Sequence, residues 1–239
     1  MLLLTSFESY SQTAEEIVSK AENDVKGKSS YGTIEMIITT PDYTRTLTMK
    51  SWWVGNEKAL IVTEAPAKEA GNKTLKIGEE VWTYLRNTET TIKIPPSMML
   101  QSWNGSDFTN DDLVRESNLV KDYDMRILAT EKINNVDCWK IQLIPKPDAP
   151  VVWGKIYYWV RKIDYLPTVV QYLDEKGKLV RYMTYSDIKD FHGRIMPSKW
   201  IMYNVAKKGH STSIIVDDMH FDTKISNSIF SYQELEKGN

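Results

Sequence analysis

Two hydrophobic periods divide the chain. From Thr13 onward the apolar residues Ala14, Ile17, Val18, Ala21 and Val25 recur at helical spacing, with Glu15, Glu16, Lys20 and Glu22 between them. This places one apolar stripe along a helix. Thr13-Ala14-Glu15-Glu16 has the form of a capping box, with the threonine hydroxyl set to accept from the third amide and Glu16 set to reach back. Lys26-Gly27-Lys28 ends the helix. From Tyr31 the period falls to two, with Ile34, Met36 and Ile38 alternating against Thr33, Glu35 and Ile37. Turns at Pro41-Asp42, Gly55-Asn56, Gly71-Asn72 and Gly78-Glu79 then separate short runs around Leu47 and Met49, residues 58–64, Leu75 and Ile77, residues 81–85, and Ile92 with Ile94. The pattern predicts a meander.

The alternation fails between Pro95 and Leu113. Pro95-Pro96 flanks Ser97-Met98-Met99-Leu100, and residues 103–113 read W-N-G-S-D-F-T-N-D-D-L. This is too irregular for a strand and too apolar for an ordinary surface loop. Met98, Met99, Leu100, Trp103 and Phe108 gather on irregular backbone, as they would on a loop that docks into something, so a Met-rich lid over an apolar ligand is expected. Thr109 or Asn110 is placed to cap a short helix through Asp111, Asp112 and Leu113.

Strands then resume. Met125 to Ile133, Asn134-Asn135 and Val136 to Pro145 make the clearest hairpin, with Trp139, Ile141 and Leu143 on one face. Further strands are predicted at 155–161, 167–173, 179–185, 195–205 and 211–221, and a brief helix near Phe230, Gln233 and Leu235. The total comes to roughly eleven strands. No Pro-, Gly- or Ser-rich linker divides them, so residues 13–239 are read as one domain of the mainly-β class. A single sheet of that size must curl strongly or close, and the first helix then lies across its open concave side. Taking the set with more large apolar residues as cavity-facing puts Leu47, Met49, Leu75, Ile77, Trp82, Tyr84, Ile92 and Ile94 inside. Any bulge reverses that choice beyond it.

Composition narrows the function classes. With 41% hydrophobic and 26% charged residues the chain has ordinary globular composition, and 30 Lys and Arg against 32 Asp and Glu leave no bulk field for nucleic acid. Cys138 is the only cysteine, which excludes an internal disulfide and CxxC zinc spacing. His192, His210 and His220 are scattered near turns and strand ends with no nucleophile motif beside them, and read as solvated or satisfied. Asp107, Asp111 and Asp112 miss the calcium-loop spacing, so capping is simpler. Asp217-Asp218 read as strand-edge charges. No catalytic residue, metal or cofactor is therefore expected. No stretch reaches the roughly 18 apolar residues of a membrane-spanning helix. Met1 to Ser11 reads as the tail of a secretory signal whose basic n-region is missing, with a frayed terminus as the alternative, so residues 1–12 are expected to be a leader remnant.

The segments "WNGSDFTNDDL" at 103–113, "EEVWTYL" at 79–85, "DYLP" at 164–167 and "KGKLVRYMTYSDIKDFHGRIMPSKW" at 176–200 occur in an order that resembles the outer-membrane lipoprotein-sorting proteins, related to the periplasmic lipoprotein carrier and its outer-membrane receptor. The resemblance covers nearly the whole chain after the leader. It implies a single unclosed antiparallel β-barrel with helices plugging its mouth, an apolar cavity for acyl chains, and no catalysis. It also implies a periplasmic location, an inner-membrane transporter as donor and an outer-membrane receptor as acceptor. The expected function is a binding protein that shelters acyl chains of lipoproteins or other lipids and carries them towards the outer membrane. A sensor or adaptor module of the same fold, which binds lipid or lipoprotein and regulates a membrane partner, stands as the alternative. A hydrolase is a third reading that lacks a paired acid/base or nucleophile signature.

Overall fold

The computed structural model describes residues 12–115 and 119–237. The leader expected over residues 1–12 lies, apart from Gln12, outside the described residues. Helix α1 spans Ala14–Lys26. Its capping box forms as the sequence predicts: the Thr13 hydroxyl accepts from the Glu16 amide, and the Glu16 carboxylate accepts from the Thr13 amide at 3.0 Å. Gly27, with φ of +66°, ends the helix by donating its amide to the Asn23 carbonyl at 2.8 Å. The left-handed backbone there favours glycine.

Thirteen strands follow: β1 (Ser29–Thr39), β2 (Thr44–Val54), β3 (Lys58–Ala65), β4 (Lys73–Ile77), β5 (Glu80–Leu85), β6 (Thr90–Lys93), β7 (Tyr123–Ile133), β8 (Val136–Pro145), β9 (Lys155–Arg161), β10 (Pro167–Leu173), β11 (Leu179–Phe191), β12 (Arg194–Asn204) and β13 (Ser211–Phe221). They form one sheet in the order β6-β5-β4-β3-β2-β1-β13-β12-β11-β10-β9-β8-β7. The total exceeds the roughly eleven expected, although each strand, the five-residue β4 and the four-residue β6 included, overlaps a run that the alternation marks: the sum falls short and the pattern does not. Two antiparallel meanders, β1–β6 and β7–β13, are joined side by side by the β1–β13 pairing. Strands β6 and β7 lie at opposite edges, so the sheet is unclosed.

That order explains the break in alternation. β6 and β7 are consecutive strands, yet the chain between them must travel from one edge of the sheet to the other. It does so across the inner face, carrying helices α2 (Asn110–Arg115) and α3 (Leu119–Asp122). There Trp103, Phe108 and Leu119 join Ala14, Ile17, Val18 and Ala21 of α1 in one core with Met36, Leu47, Met49, Ile141, Leu143 and Met202 of the sheet. The same strands β2–β5 are apolar on their outer face too. Leu60, Leu75, Trp82 and Tyr84 pack there against Phe230 and Leu235. Helix α4 (Tyr232–Glu236) seals this face, and Lys73 Nζ fastens it by donating to the carbonyls of Glu234 and Lys237 at 2.8 and 2.7 Å.

A bulge reverses the face pattern in β13. Its pairing with β1 steps from Val216–Ile34 to Asp218–Thr33, leaving Asp217 as the extra residue. Ile214, Val216, Met219 and Phe221 therefore all point inward despite the change of parity. Gly32 sits opposite the bulge, where an added side-chain carbon would come within 2.1 Å of the Asp218 carbonyl oxygen. Only glycine fits that approach.

Candidate functional site

A cavity of about 200 Å³ lies between α1, the crossing segment and the inner face of the sheet. Its floor is built by Ile34 of β1, Trp53 of β2, Ile61 of β3, and Tyr158, Val170, Met183, Trp200 and Ile214 of β9–β13. Ala21 and Val25 of α1 roof it together with Trp103, Phe108, Leu113 and Leu119. The void has a local cause. The inward residues of β2 run Leu47, Met49, Ser51, Trp53, and Ser51 pairs with Gly32, beside Ser30 facing Trp53. Small residues stand where a continued row of leucines would fill the space. Glu22, Lys26, Asn56 and Asp112 contribute polar atoms to the lining. Pockets for small ligands run to roughly 300–1,000 Å³. The present space therefore fits part of a hydrocarbon chain, and a whole chain requires the roof to move.

The crossing segment is pinned at several points. Asn104 and Gly105 turn the chain with φ of +51° and +73°. Trp103 Nε1 donates to Thr74 Oγ1 of β4 at 3.1 Å, the Asp107 amide donates to Thr212 Oγ1 of β13 at 2.9 Å, and Arg45 Nη2 of β2 donates to the Asn104 carbonyl. Within the turn, Ser106 Oγ donates to the Trp103 carbonyl at 2.7 Å and accepts from the Phe108 amide. Thr109 is the residue that caps α2, accepting from the Asp112 amide while its own amide donates to Asp112 Oδ2 at 2.7 Å.

Asp112 also carries the strongest electrostatic tie in the roof. Arg181 of β11 grips its carboxylate through both terminal nitrogens, the Nη1 bond being 2.7 Å, with both side chains buried. The guanidinium lies 4.6 Å from the ring centroids of both Trp153 and Tyr172. Two aromatic faces and a bidentate carboxylate make up for its lost hydration. At the far end Lys76 of β4 is buried and donates to the carbonyl of the cavity-lining Asn56. Burial pushes its ammonium down to about 8, against the opposing pull of Glu57.

The sequence-expected ligand residues divide into four groups. Trp103 and Phe108 line the cavity. Leu47 and Met49 share its face but lie in the packed core further along β2. Leu75, Trp82 and Tyr84, with the half-buried Ile77, belong to the outer cluster under Phe230 and Leu235. Ile92 is 40% exposed, Ile94 half-buried, Met98 and Met99 half-buried, and Leu100 56% exposed, and none of these lines the cavity. The floor residues of β9–β13 were not singled out by the sequence. The inward set Trp139, Ile141 and Leu143 of the β7–β8 hairpin was the available signal, because its cross-strand partners Val160, Tyr158 and Ile156 continue the inner face.

A family model described as "Uncharacterized protein" matches residues 55–237. No curated protein matches the chain. Among solved structures, the chain is similar to a DUF1329 family protein from Desulfovibrio piger (22% identity, TM-score 0.84, covering 93% of this chain and 97% of that one). It is similar to a putative outer membrane lipoprotein-sorting protein domain from Vibrio parahaemolyticus at 23% identity and a TM-score of 0.81, over 94% and 98% of the two chains. A LolA superfamily protein from Nitrosomonas europaea matches at 22% identity and a TM-score of 0.78, over 94% and 100%. These likenesses establish a shared open-barrel fold.

Proposed function

The chain belongs to the family whose model spans residues 55–237, and we propose that it is a binding protein that shelters acyl chains of lipoproteins or other lipids beneath α1. The observation that carries this reading is the unfilled space of about 200 Å³ between α1 and the inner face, walled by Ile34, Trp53, Phe108, Val170 and Met183. The fold shared with a lipoprotein-sorting domain supports it. No described helix is long and apolar enough to cross a membrane.

Energetics give the carrier its logic. An acyl chain of about fifteen methylenes gains on the order of 12 kcal/mol on leaving water, at about 0.8 per methylene, and almost nothing on passing from one apolar phase to another. Such a protein holds lipid across an aqueous gap but needs a donor to load it and a better pocket to unload it. In this proposal an inner-membrane transporter is the donor, an outer-membrane receptor is the acceptor, residues 1–12 are the leader remnant, and residues 13–239 work as one unit in the periplasm. Loading requires α1 or the crossing segment to lift, since packed lids must move for an apolar chain to enter.

Displacement of a fluorescent fatty acid tests the reading. Ala21 is buried on α1 and faces the cavity, so Ala21→Phe fills the space from the roof and is expected to weaken probe uptake at least tenfold. Unchanged uptake in that variant would sink the proposal. Mass spectrometry of lipid co-purified from a periplasmic extract identifies the ligand class, and cell fractionation checks the compartment.

A further inference from the structure

On the outer face, His192 meets two side chains of β13, Asp218 and His220, where the β11–β12 turn lies beside the β13 bulge. His192 and Gly193 form that turn with φ of +56° and +93°, a two-residue hairpin turn of the mirror-image type. Asp218 and His220 follow the bulge residue Asp217 on β13. His192 Nε2 lies 2.9 Å from Asp218 Oδ1, and His220 Nε2 lies 3.3 Å from Asp218 Oδ2. The two imidazoles stack at 4.1 Å between centroids and 13° between planes. Tyr31 of β1 stacks on His220 in turn, at 4.8 Å and 15°. One ligand atom from each of His192, Asp218 and His220 lies within 4.8 Å of the others.

We propose that His192, Asp218 and His220 form a binding site for a divalent transition ion of the zinc class, with its fourth position open to solvent. Zinc bonds of about 2.0–2.2 Å to imidazole nitrogen and carboxylate oxygen set tetrahedral ligand atoms about 3.3 Å apart. The two imidazole nitrogens stand 2.9 and 3.3 Å from different oxygens of Asp218, so a small rotation of the carboxylate suffices to turn one oxygen to an ion held between the rings. Two imidazole nitrogens with one carboxylate suit zinc-like ions, whereas calcium and magnesium take oxygen donors. The fold prepares the ligands before any ion arrives. Stacking fixes the ring planes, the left-handed turn fixes His192, and the bulge turns Asp218 and His220 to the outer face together. His192 and Asp218 are more than half exposed, which leaves an entry path and room for a bound water.

The site joins two elements that also serve the cavity. Met219, between the two β13 ligands, lines the cavity on the opposite face. Arg194, just after the turn, donates to the Asn23 carbonyl at the end of α1 at 2.8 Å and to Asp222, the residue after β13. An ion at this place fastens the β11–β12 turn to β13 next to the end of the roof helix.

Titration of the metal-free full chain with zinc chloride, followed by calorimetry, tests the proposal. One saturable site per chain is expected, with binding weakened at least tenfold in both His192→Ala and His220→Ala. His210→Ala, which alters the remaining histidine between β12 and β13, is expected to bind as the unaltered chain does. Tetrahedral cobalt absorption in the unaltered chain, lost in Asp218→Asn with an unchanged circular dichroism spectrum, supports the same assignment by a second readout. Absence of saturable one-to-one binding, equal affinity in the two histidine variants and the unaltered chain, or loss of binding in His210→Ala would overturn it.

Discussion

Leu60 and Ile61 sit side by side on β3, 2% and 4% exposed, and point to opposite faces of the sheet. Leu60 enters a cluster packed against the C-terminal residues Phe230 and Leu235. Ile61 borders the cavity. Large apolar residues stand on both sides, so the difference lies in what covers them and in the small residues beneath that cover. On the outer face a short helix clamped by Lys73 presses directly onto the strands. On the inner face α1 and a crossing segment span a concave surface whose middle carries Ser30, Gly32 and Ser51. A covered apolar face becomes a pocket only where the small residues under the cover leave its contacts unmade.

The largest effect that separates the two sides is expected at the buried Arg181–Asp112 ion pair of the hollow side. Arg181→Ala leaves the Asp112 carboxylate buried without its cation, and a urea melt should register a loss of about 3–5 kcal/mol. The neighbour pair comes next. Leu60→Ala is expected to cost about 3 kcal/mol because the solid cluster cannot close over the gap, and Ile61→Ala about 2, because part of its surface already faces empty space. Probe uptake should be unchanged by the first and kept or enlarged by the second. Equal costs together with equal uptake would erase the distinction between the faces.

Lys76 gives a pH-dependent version of the same comparison. The unfolded chain holds this proton up to the ordinary lysine value of 10.5, while the folded chain releases it near 8. Between those values the unfolded state binds more protons, so stability rises with pH, and below about 8 the cost of burying the charge is present in full. Lys76→Met should therefore stabilise the fold at pH 7 by on the order of 1–2 kcal/mol and flatten the pH 8–10 part of the stability curve. The smallest expected effect is at the start of the roof. Thr13→Ala removes the cap of α1 and should lower stability by about 1 kcal/mol, while stopped-flow uptake of the probe becomes faster.

The fold was legible to the extent that local chemistry decided it. The capping box at Thr13, the turn at Asn134-Asn135, and the inward row Trp139, Ile141, Leu143 all form where periodicity and turn residues placed them. The site was less legible for three physical reasons. Choosing the greasier side of each strand fails on β4 and β5, since a remote C-terminal segment makes their outer face a core and buries Leu75, Trp82 and Tyr84 there. The cavity arises from side-chain volume withheld at Ser30, Gly32 and Ser51, and missing volume has no residue signature. His192 and His220 looked scattered because they meet only once β12 pairs with β13 and sets the β11–β12 turn beside that strand, a contact across more than twenty residues that no local window sees.

The crossing segment has a mechanical consequence. Because it is tied to both free edges of the sheet, it acts as the string of a bow whose limbs are β6 and β7. Splaying the limbs to admit a bulky guest must draw that string taut, so its slack, and not the stiffness of the strands, sets the widest gape. Deleting two or three residues between Ile94 and Gln101 shortens the string without touching the floor, and would select for slimmer guests.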